Sequence, residues 1–380
     1  MNLFRKIAIN KTDLIVGIFV FGISVAMVTI SRISRLYNAR AISSTQPVAI
    51  YLHHPTGLDS LAYKFQELGV IKNEDEMIWA GKLLGWKHFR AGRYEIDGDY
   101  SYDVLLSKFA RGIQDPVSVT ILPGITQKRL EEELSHKLRF DTTAVRKAFQ
   151  DSVFLAKLGM TKQEVFGRML PNTYKFYWNS TPEQIIRRIV NVFNKKVQQP
   201  YAARLDTLRY SMNEILTMAS IVEWEAQADS EKAIISGLYW NRLKRGMYLQ
   251  ADPTVNYAIG ERRRLLYEDY KVDNPYNTYV NKGLPPGPIT NPSLISIKAA
   301  LFPDDNDYLY MVASPNGTHV FSETFAQHKR ESEKWRRWLQ KQYRIKRQRE
   351  REAQQKAQQE QVQVEHTSPS RDAFLQLKHY

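Results

Sequence analysis

The 380-residue sequence predicts an α+β protein: an N-terminal transmembrane helix, a small α+β module, and a larger, mainly helical α+β domain with long ordered loops. Three observations carry this. An uncharged apolar run occupies residues 14–31. Short strands and amphipathic helices alternate between residues 47 and 113. Beyond residue 115, helical patterns dominate and lead into a stretch rich in Pro, Gly, Asn and Tyr.

Composition sets the outer bounds. At 43% hydrophobic and 25% charged residues, the bulk of the chain is globular rather than disordered or polytopic. The absence of cysteine excludes disulfides, Cys-ligated metal and a thiol nucleophile. The net charge of +14 is concentrated at one end, since residues 329–356 hold 12 Lys or Arg against four Glu. A dedicated nucleic-acid domain in the middle of the chain is therefore poorly supported.

Residues 14–31 read LIVGIFVFGISVAMVTIS, which as a helix spans about 27 Å, close to one hydrocarbon core. The run is longer than the apolar core of a signal peptide. Arg32 and Arg35 follow it directly, although Ala39 and Ala41 form a weak cleavage pattern. An uncleaved anchor is the expectation, with residues 1–13 as a short cytoplasmic N-terminus. Charge does not orient it, because Arg5, Lys6 and Lys11 face Arg32, Arg35 and Arg40 across the span.

A polar linker is expected around residues 41–46, then a strand over 48–52 and helices over 59–68 and 74–84. An extended segment follows over 92–97, and a helix over 101–109 is closed by Gly112. A second domain is expected from residue 116, with a strand over 116–122 and helices over 126–138, 142–149, 161–166, 181–196, 212–225 and 232–245. Gly246 caps the last of these. Residues 249–287 read as long ordered loops, which inside a domain are usually functional. Residues 308–313 and 318–321 flank Pro315, Asn316 and Gly317 as a hairpin, and the basic, Gln-rich tail over 331–380 is expected to be helical in part, exposed and partly disordered.

The chemistry points to residues 215–225, ILTMASIVEWE, where a nearly all-apolar helix ends in two carboxylates. Burial makes a carboxylate costly unless it is protonated, paired or functional, and it raises the pKa toward what a general acid needs. Glu223 and Glu225 lie about 200° apart around a helix, a poor geometry for a two-carboxylate pair. Periodicity does not choose between them, and both could equally lie in solvent past the helix end. Gln250, Asp252, Thr254 and Asn256 crowd together beside Tyr257, a mix that suits carbohydrate, although Asp252 before Pro253 is also a helix-entry device. Pro285, Pro286 and Pro288 stiffen a loop presenting Tyr276, Asn277, Tyr279 and Asn281. Serine-hydrolase, zincin, P-loop and dinucleotide motifs do not occur. The eight histidines suggest no metal site, and no cofactor is expected.

These motifs resemble a family. ASIVEWEA (219–226), YWNRL (239–243), LQADPTVNYAIG (249–260), YNTYVNKGLPPGPITNP (276–292) and YLYMVASPNGTHVFSETFAQH (308–328) resemble, in order, the YceG-like endolytic murein transglycosylases, the MltG family. Residues 56–71 and 89–112 look like that family's LysM-like glycan-binding module, placed at 47–113, and MLPNTYKF (169–176) like its LFPDTY segment. The resemblance implies a YceG-like catalytic domain over 116–330 that cuts within nascent peptidoglycan between N-acetylmuramic acid and N-acetylglucosamine. The product carries a 1,6-anhydromuramic end. It also implies Glu223 as the catalytic acid and base, with Glu225, Gln250, Asp252, Thr254, Asn277 and Tyr279 binding substrate. Asn172, Phe166, Gln327 and Lys329 depart from the family pattern without touching the proposed acid.

The implied setting is the bacterial inner membrane, with the catalytic domain on the extracytoplasmic side, peptidoglycan strands as substrate and peptidoglycan synthases as candidate partners. The alternative from another class is a catalytically silent, membrane-anchored peptidoglycan-binding scaffold, which could freely lose the acid that this sequence keeps. A nucleic-acid binder acting through the tail ranks last.

Overall fold

The apolar run lies within α1 (Lys11–Leu36), in a computed structural model that describes residues 10–367. Asp13 returns its carboxylate to the Asn10 N–H and so caps the start of the helix. The apolar side chains of α1 are exposed along its length, Phe19 at 67%, so the helix is long and apolar enough to cross a membrane. It runs past the expected end at residue 31. Arg35 then pairs with Glu76 at 3.1 Å, and Leu36 enters a core. Most of the expected cytoplasmic N-terminus, residues 1–9, lies outside the described residues.

The described chain divides into two compact units. The first runs to residue 121 and includes residues 127–159 and 172–191. The second comprises residues 122–126 and 160–171 and everything from residue 192 onward.

In the first unit, β1 (Ile42–Leu52) is followed by β2 (Thr56–Gly57), α2 (Leu58–Glu67), α3 (Glu74–Leu84) and β3 (His88–Phe89). β4 (Gly92–Tyr100) and α4 (Tyr102–Arg111) complete this part. β1 and β4 pair antiparallel from Ile42 opposite Tyr100 to Leu52 opposite Gly92. The polar linker expected at 41–46 is thus the beginning of a strand. Its register shifts between Ser44 and Val48, the segment containing Pro47, which has no N–H to give a ladder. Phe65, Met77, Tyr94, Leu105 and Phe109 are fully buried between the helices and the sheet, with the Tyr94 and Phe109 rings stacked at 4.1 Å. Gly112 closes α4 in the left-handed conformation, at φ 73°.

The same unit contains β5 (Val117–Ile121), α5 (Gln127–Lys137), α6 (Thr142–Gln150), α7 (Ser152–Ala156), β6 (Asn172–Phe176) and most of α8 (Pro182–Phe193). β5 pairs antiparallel with β6. No α-helix forms over 161–166. Turns lead there into a single 3-10 turn at Phe166–Arg168, in which Gly167 lies so close to Pro288 that a Cβ would collide with the proline ring.

The second unit is built on α10 (Met212–Glu225), preceded by α9 (Ala202–Thr207) and followed by α11 (Lys232–Lys244), α12 (Asp252–Ile259) and α13 (Leu294–Leu301). The hairpin β7 (Tyr310–Ala313) and β8 (His319–Ser322) and the long α14 (Phe325–Thr367) complete it. A reciprocal bond between Ser211 and Glu214 starts α10. Ile215, Leu216, Met218, Ala219, Ile221 and Val222 are then wholly buried, against α11 and α13 among others. In α11, a Cβ on Gly237 would strike the Asp304 carbonyl, so this glycine makes room for the 304–306 loop.

Residues 252–259, read as loop, form a helix because Pro253 occupies its first turn, where a missing N–H costs nothing. The tail, expected to be helical in part, continues as one helix from Phe325 through Thr367, and residues 368–380 lie outside the described residues.

Candidate active site

Glu223 lies in the last turn of α10, its side chain 9% exposed. Its Oε2 accepts three hydrogen bonds: from the Ser293 N–H at 2.9 Å, the Ser293 hydroxyl at 2.6 Å and the Ser296 hydroxyl at 2.6 Å. Ser293 is the N-cap of α13, so the carboxylate also faces a helix N-terminus. The buried Lys232 ammonium stands 3.5 Å from the other oxygen, Oε1, and 2.9 Å from Asp229. One carboxylate oxygen is therefore saturated with donors. The other meets one cation at longer range.

Ser293 is held there by the segment before it. Ile289 donates its N–H to the Ser220 hydroxyl on α10 at 2.9 Å. The wholly buried Asn291 donates to the carbonyls of Leu122 and Met169 and accepts from the Ile125 N–H. Gly124, left-handed at φ 70°, accepts the Trp224 indole N–H at 2.8 Å, and a Cβ at that glycine would reach the Trp224 ring at 3.4 Å. The ends of α10 and α13 are thus tied through one buried polar network, the arrangement that fixes a side chain rather than letting it sample rotamers.

Glu225 has different partners. Its Oε1 accepts the Tyr239 hydroxyl at 2.7 Å. Burial pushes the carboxyl up to about 7; the nearby Asp252 charge adds to the rise, and the Tyr239 bond and Arg242 oppose it. Asp252 in turn accepts the Tyr279 hydroxyl at 2.6 Å and the Tyr270 hydroxyl at 3.4 Å. Burial and Asp252 both raise the pKa of Tyr279. Glu225, Asp252, Tyr239 and Tyr279 thus form one cluster. Arg242, buried beneath it, donates to the carbonyls of Leu249 and Leu309.

The remaining sequence candidates separate. Gln250 is exposed and is the one non-glycine residue with positive φ among those described, at 50°, its N–H bonded to the Thr278 carbonyl. Thr254 and Asn277 are wholly buried. The Thr254 hydroxyl lies 2.8 Å from that of Thr278, and Asn277 donates to the carbonyls of Tyr270 and Val272 while accepting from the Tyr279 N–H. Neither side chain faces outward. Thr254 lies in the first turn of α12 beside Asp252, and Asn277 lies in the loop that carries Tyr279; the hydrogen bonds of both side chains are made within the protein.

Sequence reasoning missed Lys232, Tyr239, Ser293 and Ser296. Ser293 carries a helix-cap signal ahead of an apolar run, but nothing local indicates that its hydroxyl also reaches a carboxylate 70 residues away.

Residues 50–334 match the YceG-like family, and the chain belongs to it. Over 313 residues the chain is 31% identical to the endolytic murein transglycosylase of Bacillus subtilis, covering 77% of this chain and 87% of that protein. It is 26% identical over 311 residues to the enzyme of that name from Streptococcus pneumoniae strain D39, covering 73% of this chain and 56% of that one. A YceG-like protein of Listeria monocytogenes, solved at 2.6 Å, superposes with a TM-score of 0.54 at 30% identity, covering 76% of this chain and 99% of its own.

Proposed function

We propose that the protein is an endolytic peptidoglycan lytic transglycosylase, cleaving the bond between N-acetylmuramic acid and N-acetylglucosamine and leaving a 1,6-anhydromuramic end. The observation that carries this is Glu223, a largely buried carboxyl in the last turn of α10, with Oε2 tethered by Ser293 and Ser296. The family relationship and the names of the relatives support it, and they do not favour a silent scaffold.

One carboxyl suffices for this reaction. Protonated Glu223 gives its proton to the glycosidic oxygen as the C1–O bond breaks and positive charge develops on the muramic ring. The resulting carboxylate then takes the proton of the C6 hydroxyl, whose oxygen closes on C1. The glutamic acid is regenerated and no water is consumed. The nucleophile belongs to the substrate, so the entropy of bringing it to C1 is already spent. With Oε2 tethered, Oε1 handles the proton in both steps, and Lys232 stabilises the intervening carboxylate. Glu225, Gln250, Asp252 and Tyr279 are proposed to hold the flanking sugars, with Thr254 and Asn277 as their frame.

The wider assignment has four parts: α1 as a single-pass anchor in the inner membrane, the catalytic domain (116–330) outside it, residues 47–113 as a LysM-like glycan-binding module, and peptidoglycan synthases as partners. The test uses the full chain in detergent with uncrosslinked glycan strands, read by mass spectrometry beside Glu223→Gln. Internal fragments one water lighter than hydrolysis products, absent with the variant, are expected. Fragments of hydrolytic mass overturn the intramolecular step, and intact bound strands overturn the enzyme.

A further inference from the structure

The site above leaves α14 unexplained. Its first turns rest on the hairpin, where Tyr310 stacks on His328 at 5.3 Å and meets Phe325 edge-on at 5.9 Å. Beyond that, residues 334–349 hold eight Lys or Arg and no carboxylate. Glu331, Glu333, Glu350 and Glu352 all fall outside this stretch. Arg336, Arg337, Lys341, Arg344 and Arg347 are exposed and have no carboxylate partner among the described residues.

The cations are not spread evenly round the helix. At 100° per residue, Trp335, Trp338, Leu339 and Ile345 fall within an arc of about 120°, and the five unpaired cations occupy the opposite side. Those four apolar residues are half-buried, and the two indoles stack at 4.9 Å. Lys346 and Arg349 interrupt the stripe at its far end, so it is about three turns long.

We propose that residues 334–347 form an interfacial helix that lies flat on an anionic lipid bilayer, with the arginines among the headgroups and Trp335, Trp338, Leu339 and Ile345 at the acyl boundary. Charge complementarity alone would suit any polyanion. The tryptophan-bearing stripe beside the arginine face selects lipid, because only a bilayer surface offers anionic groups and hydrocarbon within one helix diameter. A chain that also carries a helix of membrane-spanning length needs only weak intrinsic affinity for such a surface, since tethering supplies the local concentration.

The chain has no cysteine, so Gln342→Cys in the stripe accepts a single environment-sensitive fluorophore. The labelled full chain is reconstituted into phosphatidylcholine vesicles with and without phosphatidylglycerol, using acyl chains brominated for quenching. In anionic vesicles we expect a blue shift and at least about twofold stronger bromine quenching than in neutral ones. Molar salt and the surface substitutions Arg336→Glu, Arg337→Glu and Arg344→Glu should both reverse these changes. Equal emission in both vesicles overturns the proposal. So does a blue shift without bromine quenching, which would indicate a protein covering the stripe, or the same shift produced by soluble polyphosphate in neutral vesicles, which would indicate a general polyanion site.

Discussion

The Lys232 ammonium stands between two carboxylates, 2.9 Å from Asp229 and 3.5 Å from Glu223, and donates to the Ser293 hydroxyl at 3.4 Å. Ser293 and Ser296 tether the opposite oxygen of Glu223, but they differ in what else they do. Ser293 caps α13, whereas Ser296 lies in its first turn. With Glu223 as the proposed proton donor, Ser296→Ala should lower kcat about 10- to 100-fold with little change in KM or melting temperature, because displacing that group loses rate rather than binding. Ser293→Ala should lower kcat similarly and also cost about 1 kcal/mol of stability through the lost cap. Steady-state kinetics beside thermal melts separate the two, and equal melting losses would remove the distinction.

Glu225 links the site to pH. Its carboxyl is held at about 7 against an ordinary 4.5, so between these values the folded state binds more protons than the unfolded state. Stability is greatest below the ordinary value and falls as pH rises through about 7, by on the order of 3 kcal/mol in total. Melting temperature should decline between pH 5 and about 8. Glu225→Gln stays neutral and still accepts from Tyr239, so its melting curve should be flat over that window. A wild-type curve already flat there would refute the assignment.

The repulsion between Glu225 and Asp252 gives a second handle on the same group. Asp252→Asn removes one of the causes that raise the Glu225 pKa, and the pH at which stability falls should move downward. Carboxyl carbon shifts followed through a titration would locate the midpoint directly. An unmoved midpoint would mean that the Asp252 charge does not contribute to the rise.

Much of this framework is legible locally. The cap at Gly112, the left-handed Gly246 after α11, the apolar α10 and the hairpin around Asn316 each announce themselves within a few residues, because caps, turns and periodicity are short-range devices. α12 was hidden because a Pro–Asn–Tyr composition imitates a loop. The partners of Glu223 were hidden for a different reason. Periodicity leaves Glu223 and Glu225 equivalent, and what distinguishes them, a serine-capped helix against a tyrosine and aspartate cluster, is assembled from residues tens of positions away. The resemblance to a family chose Glu223 where the residues alone could not.

Thr254 and Asn277 separate a residue that touches substrate from one that frames the site. The Thr254 hydroxyl donates to the Ala251 carbonyl at 2.7 Å, lies 2.8 Å from the Thr278 hydroxyl and accepts from the Thr278 N–H at 3.3 Å, all in a buried setting. Thr254→Val keeps the shape but leaves Thr278 with an unmet hydrogen-bonding need, at a cost of about 1 to 3 kcal/mol. Asn277→Ala leaves the carbonyls of Tyr270 and Val272 and the Tyr279 N–H unpaired, and should cost at least as much. If both residues only frame the site, each variant loses melting temperature and active fraction together, and the molecules still folded at low temperature keep the wild-type KM. A raised KM with an unchanged melting temperature would instead return these side chains to the substrate.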